Sequence, residues 1–117
     1  MRITGRASIK VDGEVLLTEV GATMNVGGFE REAMMGGRGV NGYKQSPVAP
    51  TVQCTVHHTN ETDIIKLAGI TNATLLFETD TGQSWMLRGA FVTEPPELDA
   101  GAGTFELNFS GLGIDRV

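Results

Sequence analysis

The chain has 117 residues, of which 40% are hydrophobic and 20% charged, and this balance indicates one globular domain rather than a disordered segment. Its formal net charge of −5 argues against a surface that grips nucleic acid by neutralising phosphates, but it is compatible with a surface that nucleic acid slides past. No apolar run approaches the roughly 20 residues of a membrane helix, and the first residues lack a signal-peptide core. We therefore expect synthesis in the cytoplasm, and we expect no membrane anchoring.

The N-terminal part of the chain predicts a β-hairpin. In "ASIKV", residues 7–11, apolar and polar side chains alternate, which is typical of a strand with one buried face. Asp12-Gly13 follows, and an Asx-Gly pair supplies the positive φ angles that a two-residue hairpin turn needs. We therefore expect the first strand to turn back immediately after Val11.

Residues 21–50 break this pattern. They hold seven of the sixteen glycines and only one good strand candidate, "FEREAMM" at residues 29–35, so we expect a long arm of largely irregular backbone. Asn41-Gly42 predicts a hairpin turn between "GRGV" and "YKQS". Two interpretations remain open: a poorly ordered surface loop, or an arm and hairpin that order only against a neighbouring subunit.

The second half of the chain predicts one short helix and further strands. "NETDIIKLAG" places Asn60 as the N-cap and Gly69 just past the C-terminus, so we expect a helix over about 61–68 that lies on a sheet. In "WMLRGAFVTE" apolar residues lie on both faces, with Leu87 and Phe91 on the same one, which predicts a strand covered on both sides. Strand patterns occupy residues 51–58, 73–79, 85–94 and 104–111, and "TDTG" at 79–82 predicts the turn between the middle two.

These elements predict a mainly β fold: a small antiparallel β-sandwich or barrel with one short flanking α-helix and a long Gly-rich arm or hairpin, built as a single domain over residues 1–117. The alternation in "TFELNFSG" assigns Leu107 and Phe109 to the core.

A double proline interrupts the stretch "FVTEPPELDAGAGTFELNFSG". Pro95 and Pro96 lack amide donors, so the preceding strand cannot extend its ladder past Glu94. Glu97 and Asp99 follow, and paired carboxylates can perform acid–base catalysis when burial separates their pKa values. In this polar, Gly-flanked loop we expect the carboxylates to be solvated, so the loop predicts a surface rim rather than a catalytic site.

No spacing in the sequence predicts a catalytic, metal or cofactor site. "GRGVNG", residues 37–42, matches G-x-G-x-x-G, but the two prolines that follow forbid the helix that a dinucleotide site needs. His57 and His58 would point to opposite faces of a strand, and Cys54 lies about 13 Å from His58 along it, too far for a shared ion. We therefore expect a protein that is not an enzyme and holds no metal and no cofactor.

Four stretches resemble, in the same order, the tail tube protein of contractile-tailed, Mu-like bacteriophages: "ITGRASIKVDGE", "SPVAPTVQCTVHHT", "LAGITNATLLFETDTGQSW" and "VTEPPELDAGAGTFELNFSG". The resemblance covers essentially the whole chain and depends on this order rather than on any chemical motif. It implies a structural subunit, related in fold to the type VI secretion tube protein, that self-assembles into stacked hexameric rings forming the inner conduit for DNA ejection. It also implies a place in the virion tail tube. The partners it implies are further copies of the chain, sheath, tape-measure, baseplate and tail-terminator proteins, and DNA that passes through the lumen without specific binding.

With this interpretation, the arm and the acidic loop are the candidate contacts between subunits or between rings. The candidate residues are Gly36, Gly37, Arg38, Gly39, Val40, Asn41, Gly42, Tyr43, Lys44, Glu97 and Asp99. Two alternatives stay open: a tube subunit of a phage-derived contractile injection device, and a monomeric β-sandwich that binds a ligand. The single Trp85 leaves little aromatic surface for sugar stacking, which disfavours the second alternative.

Overall fold

Antiparallel strands account for most of the regular structure in a computed structural model that describes all 117 residues. Eleven strands and one helix follow one another along the chain. Their bounds are β1 Ala7–Val11, β2 Glu14–Leu16, β3 Thr23–Asn25, β4 Gly28–Gly36, β5 Gly39–Val48, β6 Thr51–His57, α1 Ile64–Ala68, β7 Ala73–Thr79, β8 Ser84–Val92, β9 Leu98–Asp99, β10 Thr104–Ser110 and β11 Gly113–Arg116.

Nine strands form one curved sheet that nearly closes on itself. Its path is β2-β1-β7-β8-β10-β6-β3, and β11 pairs with β8 while β9 pairs with β10. After β2 the chain crosses to β6, where the His57 amide donates to the Leu17 carbonyl and the Glu19 amide donates to the Thr55 carbonyl. These bonds join the β2 end of the path to β6, so the predicted sandwich or barrel is confirmed, in the form of a small barrel.

Strand β8 bends at Gly89, so the residues before and after the bend pair with different strands. Residues 85–88 pair with β11, whereas Phe91 and Val92 pair with β10, and the register against β7 shifts between the two parts. Gly89 has φ +58°, and a Cβ there would lie 2.8 Å from Leu112 Cδ1. The bulge turns Ala90 inward and leaves Phe91 36% exposed, so the expectation that Phe91 shares the buried face of Leu87 is wrong.

The core fills the inside of the barrel with apolar side chains from β1, β6, β7, β8 and β10. Leu107 and Phe109 are 0% and 1% exposed, which confirms their assignment to the core. The complete set is Ile9, Val11, Val52, Cys54, Val56, Ala73, Leu75, Phe77, Leu87, Ala90, Phe105, Leu107 and Phe109. No member of this set lies in β4 or β5, so the core is complete without these two strands.

The helix is shorter than its sequence pattern predicts, and its cap differs. The N-cap is Asp63, whose carboxylate accepts a hydrogen bond from the amide three residues further on, so the prediction that Asn60 caps the helix is wrong. The preceding residues form a separate turn, in which the Thr62 hydroxyl accepts from the Thr59 amide. No helix here has the length and apolar character needed to cross a membrane.

The turn after β1 forms as its sequence predicts. Asp12 and Gly13 have φ +49° and +86°, and Asp12 is the one non-glycine residue with positive φ. Such a pair of angles matches the right-handed twist of the flanking strands. The Asp12 carboxylate also accepts from the Thr74 amide at 2.9 Å, which ties the turn to the start of β7.

Candidate assembly surface

The Gly-rich segment forms a long β-hairpin that stands off the barrel. β4 and β5 pair only with each other, over nine and ten residues. The molecule measures 62 × 36 × 28 Å, and its radius of gyration of 17.2 Å exceeds the ~13 Å expected for a compact chain of this length. We call residues 28–48 the arm, because they project from the barrel as a separate sheet.

Two expectations about the arm are wrong. Its backbone was expected to be largely irregular, but most of it is regular strand. Its turn was expected at Asn41-Gly42, but the chain turns at Gly37-Arg38. Asn41 is instead the extra residue of a bulge in β5, and its side chain occupies the space that a Cβ at Gly36 would fill. Gly39, at φ +116°, supplies the conformation that brings the chain out of the turn.

The register of the arm separates an apolar face from a charged one. Cross-strand partners share a face, so Phe29, Met35, Val40 and Tyr43 lie together and are 57%, 69%, 65% and 65% exposed. Arg31 belongs to the same face, with its guanidinium 5.9 Å from the centre of the Tyr43 ring. The opposite face carries Glu30, Glu32, Met34, Lys44 and Ser46.

This apolar face has no cover within the chain. An isolated two-stranded hairpin is marginally stable in water, and the arm also has free hydrogen-bonding groups along both outer edges. Full burial of one large apolar side chain contributes about 1.5–3 kcal/mol. A partner that covered the apolar face would therefore remove this apolar area from water and stabilise the arm.

The candidate contact residues fall into two separate patches. The nine from Gly36 to Lys44 lie together at the outer end of the arm, around the turn. Glu97 and Asp99 lie in the connection between β8 and β10, where Asp99 belongs to the two-residue strand β9. No hydrogen bond or ion pair joins this connection, which we call the acidic loop, to the arm. Asp99 accepts from the amides of Gly101 and Ala102 at 3.0 and 3.2 Å, so one of its roles is to shape the loop itself.

The acidic loop borders a shallow open cleft. Glu94, Glu97, Asp99 and Glu106 contribute carboxylates to it, together with the two prolines. No three His, Cys, Asp or Glu side chains are arranged to hold a metal ion. Burial, with a smaller effect of the Glu106 charge, raises the pKa of the Cys54 thiol to about 12, so this cysteine is a protonated core residue rather than a nucleophile.

A groove of about 340 Å³ lies between the β1–β2 turn and α1. The sequence pattern gives no indication of it. Its floor is apolar, with Val11, Leu16, Val56, Leu67 and Ile70, and its rim carries the carboxylates of Asp12, Glu14, Glu61 and Asp63 with the single ammonium of Lys66. The two acidic pairs lie about fifty residues apart in sequence, so only the folded chain brings them to one rim.

The first six residues are held against the β7–β8 turn by Asp80. Its carboxylate accepts from the Gly5 amide at 3.2 Å and contacts the Arg2 guanidinium at 3.4 Å. The Gly5 hydrogen bond is the largest effect that lowers the pKa of Asp80, partial burial opposes it, and the Arg6 amide and the two arginine charges add to the lowering. Thr4 and Thr81 also share a hydroxyl hydrogen bond of 2.7 Å.

Comparisons with known proteins agree over nearly the whole chain. The family model described as "Phage tail tube protein" matches residues 1–115. The Mu-like prophage FluMu tail tube protein of Haemophilus influenzae is 39% identical over 113 residues, which are 97% of this chain and 94% of that protein. The tail tube protein of Escherichia phage Mu is 34% identical over 97 residues, which are 83% of this chain and 81% of that protein.

Solved structures with the same fold come from contractile injection systems. The tube-terminating cap of the anti-feeding prophage has a TM-score of 0.67 at 14% identity, over 98% of this chain and 89% of that chain. A chain of the sheath–tube complex of the extracellular contractile injection system PVC, in its extended state, has a TM-score of 0.62 at 13% identity, over 96% of this chain and 88% of that chain. At these identities the likeness shows the fold.

Proposed function

The chain belongs to the phage tail tube protein family, a structural and non-enzymatic family of contractile-tail virion components, and on this basis we propose that its copies assemble into stacked hexameric rings. The rings form the inner conduit through which DNA leaves the virion. The chain is made in the host cytoplasm and becomes part of the tail tube.

The observation that carries this proposal is the uncovered arm. A hairpin with an exposed apolar face and two free edges, attached to a barrel whose core is already complete, has the character of a contact element. When each copy contacts the next through two different surfaces, the copies form a closed ring if the rotation between neighbours adds up to a full turn, and an open filament if it does not. A tube of stacked rings needs a contact within each ring and a second contact between rings.

The acidic charge of the subunit supports a conduit that does not hold DNA. Fourteen carboxylate side chains and nine basic ones give the net charge of −5. Negatively charged carboxylates repel the phosphates of DNA. DNA accordingly passes without specific binding, and no base-reading element is required.

The partners we propose are sheath, tape-measure, baseplate and tail-terminator proteins. Two of the solved structures support the first and last of these, since one is a sheath–tube complex and the other is a tube-terminating cap. The same relatives favour a second candidate, a tube subunit of a phage-derived injection device. Sequence identities of 39% and 34% to Mu-like tube proteins, against 13–14% to those systems, favour the phage tail.

Assembly of the purified full chain tests the proposal. Negative-stain microscopy and sedimentation velocity at rising concentration should show rings or tubes with six-fold end views. Phe29→Ser with Tyr43→Ser, on the apolar face, should keep the chain monomeric with unchanged circular dichroism. Glu30→Gln with Glu32→Gln, on the opposite face, is the matched control and should still assemble. A wild-type chain that stays monomeric even with other tail proteins present would contradict the proposal.

A further inference from the structure

We propose that the groove between the β1–β2 turn and α1 receives the tip of the arm from a second copy of this chain, so that copies join head to tail. The proposal rests on the proposed function, because it presumes self-assembly through the arm. It adds the surface that accepts the arm, which lies outside all the residues that the sequence singles out as contacts.

The arm and the groove lie at opposite ends of β6. The β3–β6 ladder continues into the arm, since Asn25 pairs with Thr51 and Gly28 pairs with Val48. The arm therefore leaves from the N-terminal end of β6, whereas Val56 and His57, at its C-terminal end, line the groove. Seven residues of β6 separate the two ends by about 20 Å, and the arm extends about 30 Å further. The arm of a given chain thus cannot fold back into its own groove.

The apolar surfaces of tip and groove match in kind. Met35 and Val40, cross-strand partners next to the turn, are both more than three-fifths exposed. On the receiving side, Leu16, Leu67 and Ile70 are only partly covered by the core. Contact between these two sets removes apolar area from water on both molecules.

The charges of tip and groove are opposite. Between residues 33 and 43 the only charged side chain is Arg38, which stands at the turn itself. The groove rim carries four carboxylates against one lysine, with His57 also at its edge. The carboxylates of Glu14 and Glu61 accept no hydrogen bond within the chain and are exposed, so both are free to pair with Arg38 of a neighbour.

The strand next to the groove also has an unused edge. β2 is at the end of the sheet path, and Glu14–Leu16 pair only with β1. Each of the two strands of the arm likewise has a free outer edge. Main-chain hydrogen bonds can therefore add to the side-chain contacts, as in strand addition to a sheet edge.

Site-specific crosslinking tests the proposal without removing the proposed contacts. Gly37→Cys places a thiol at the tip, where a Cβ meets nothing within 4 Å, and Val15→Cys places one on the groove, where Val15 is 58% exposed. The native Cys54 is buried and gives little background. When the two variants are mixed under assembly conditions and treated with a short bis-maleimide, we expect a dimer band far stronger than with either variant alone.

The matched control replaces the groove thiol with one in the acidic loop. Ala100→Cys is also exposed and lies beside the other carboxylate cluster. Crosslinking of Gly37→Cys to Ala100→Cys, but not to Val15→Cys, in assembled material would overturn the groove as acceptor while leaving assembly through the arm intact. Absence of any assembled species would instead count against the proposed function itself.

A charge exchange gives a second, independent readout. Arg38→Glu alone, and Glu14→Lys with Glu61→Lys alone, should each raise the concentration at which assembly begins by about tenfold or more, since like charges then face each other. The combined variant should recover most of this loss. Failure of the combination to recover assembly, when both parents fold normally, would contradict the pairing of Arg38 with the groove rim.

Discussion

Met35 and Val40 provide the sharpest test of whether the apolar face of the arm drives assembly. They are cross-strand partners on that face and are 69% and 65% exposed. Full burial of such a side chain is worth about 1.5–3 kcal/mol, so covering the remaining two-thirds contributes about 1–2 kcal/mol per residue. Met35→Ser with Val40→Ser should therefore weaken each arm contact by about 2–4 kcal/mol.

The loss should be measured as a change in association rather than in folding. A cost of about 2–4 kcal/mol lowers the association constant roughly 30- to 700-fold, since each 1.4 kcal/mol is a factor of about ten. Sedimentation velocity over a concentration series reports this directly. The thermal unfolding midpoint of the monomer should remain close to that of the wild type, because neither side chain belongs to the core.

The adjacent residue supplies the control for this measurement. Met34 precedes Met35 in the same strand but lies on the opposite face of the arm. Met34→Ser removes a similar side chain and should leave association nearly unchanged. If Met34→Ser weakens association as much as the Met35 and Val40 double variant, or if neither has an effect, the assignment of the apolar face as the contact surface is refuted.

Three further outcomes are expected. Replacing the three glycines within residues 37–42 by valine should block tube formation, because valine at φ +116° strains the turn that Gly39 permits, while the barrel core still unfolds cooperatively; tubes that still form would show that the turn is not needed for assembly. Leu107→Ala, at a fully buried site, should cost about 2–5 kcal/mol in urea unfolding, whereas Leu112→Ala, at 82% exposure, should cost little, and equal costs would contradict the core assignment. Asp80→Asn should lower the unfolding temperature at neutral pH. Because folding lowers the pKa of Asp80, its stabilising contribution is present above the unfolded pKa of 3.8 and is lost as the pH falls through the folded pKa. The difference in unfolding temperature between variant and wild type should therefore shrink below about pH 3.8.

The parts of the fold that depend on local alternation could be predicted from the sequence. The strand at residues 7–11, the Asp12-Gly13 turn and the burial of Leu107 follow from the period-two pattern and from the φ angles of one Asx-Gly pair. In these places local preference and tertiary structure agree, so the pattern is sufficient.

The parts that depend on contacts between distant residues could not be predicted. Asn41-Gly42 has the sequence of a hairpin turn, but the chain turns at Gly37-Arg38 and leaves Asn41 in a bulge, with its side chain packed over Gly36. Asn60 fits a helix cap, yet a separate turn precedes the helix and Asp63 caps it. In both cases two local solutions exist, and only the three-dimensional arrangement selects one.

The candidate assembly surface could likewise be predicted only in part from the sequence. Abundant glycine and the absence of a long alternating pattern indicate an unusual segment at residues 21–50, but they do not reveal that its strands present one apolar face. That face appears only when the register of β4 with β5 is known, because a shift of one residue would exchange the two faces. The acidic groove is formed by residues from two distant segments and has no local signal at all.

The separation of core from arm has a consequence for how assembly is controlled. All thirteen core residues lie outside β4 and β5, so the barrel can fold before any partner is present. The arm adds no buried side chain to the monomer and exposes four large apolar ones on one face. The monomer can therefore fold alone but keeps a surface that is unfavourable in water, and in the proposed assembly each added copy removes one such surface from water. In the proposed assembly, growth then depends on concentration and on a receptive end rather than on the folding of the subunit, as expected of a tube that grows by addition of preformed subunits.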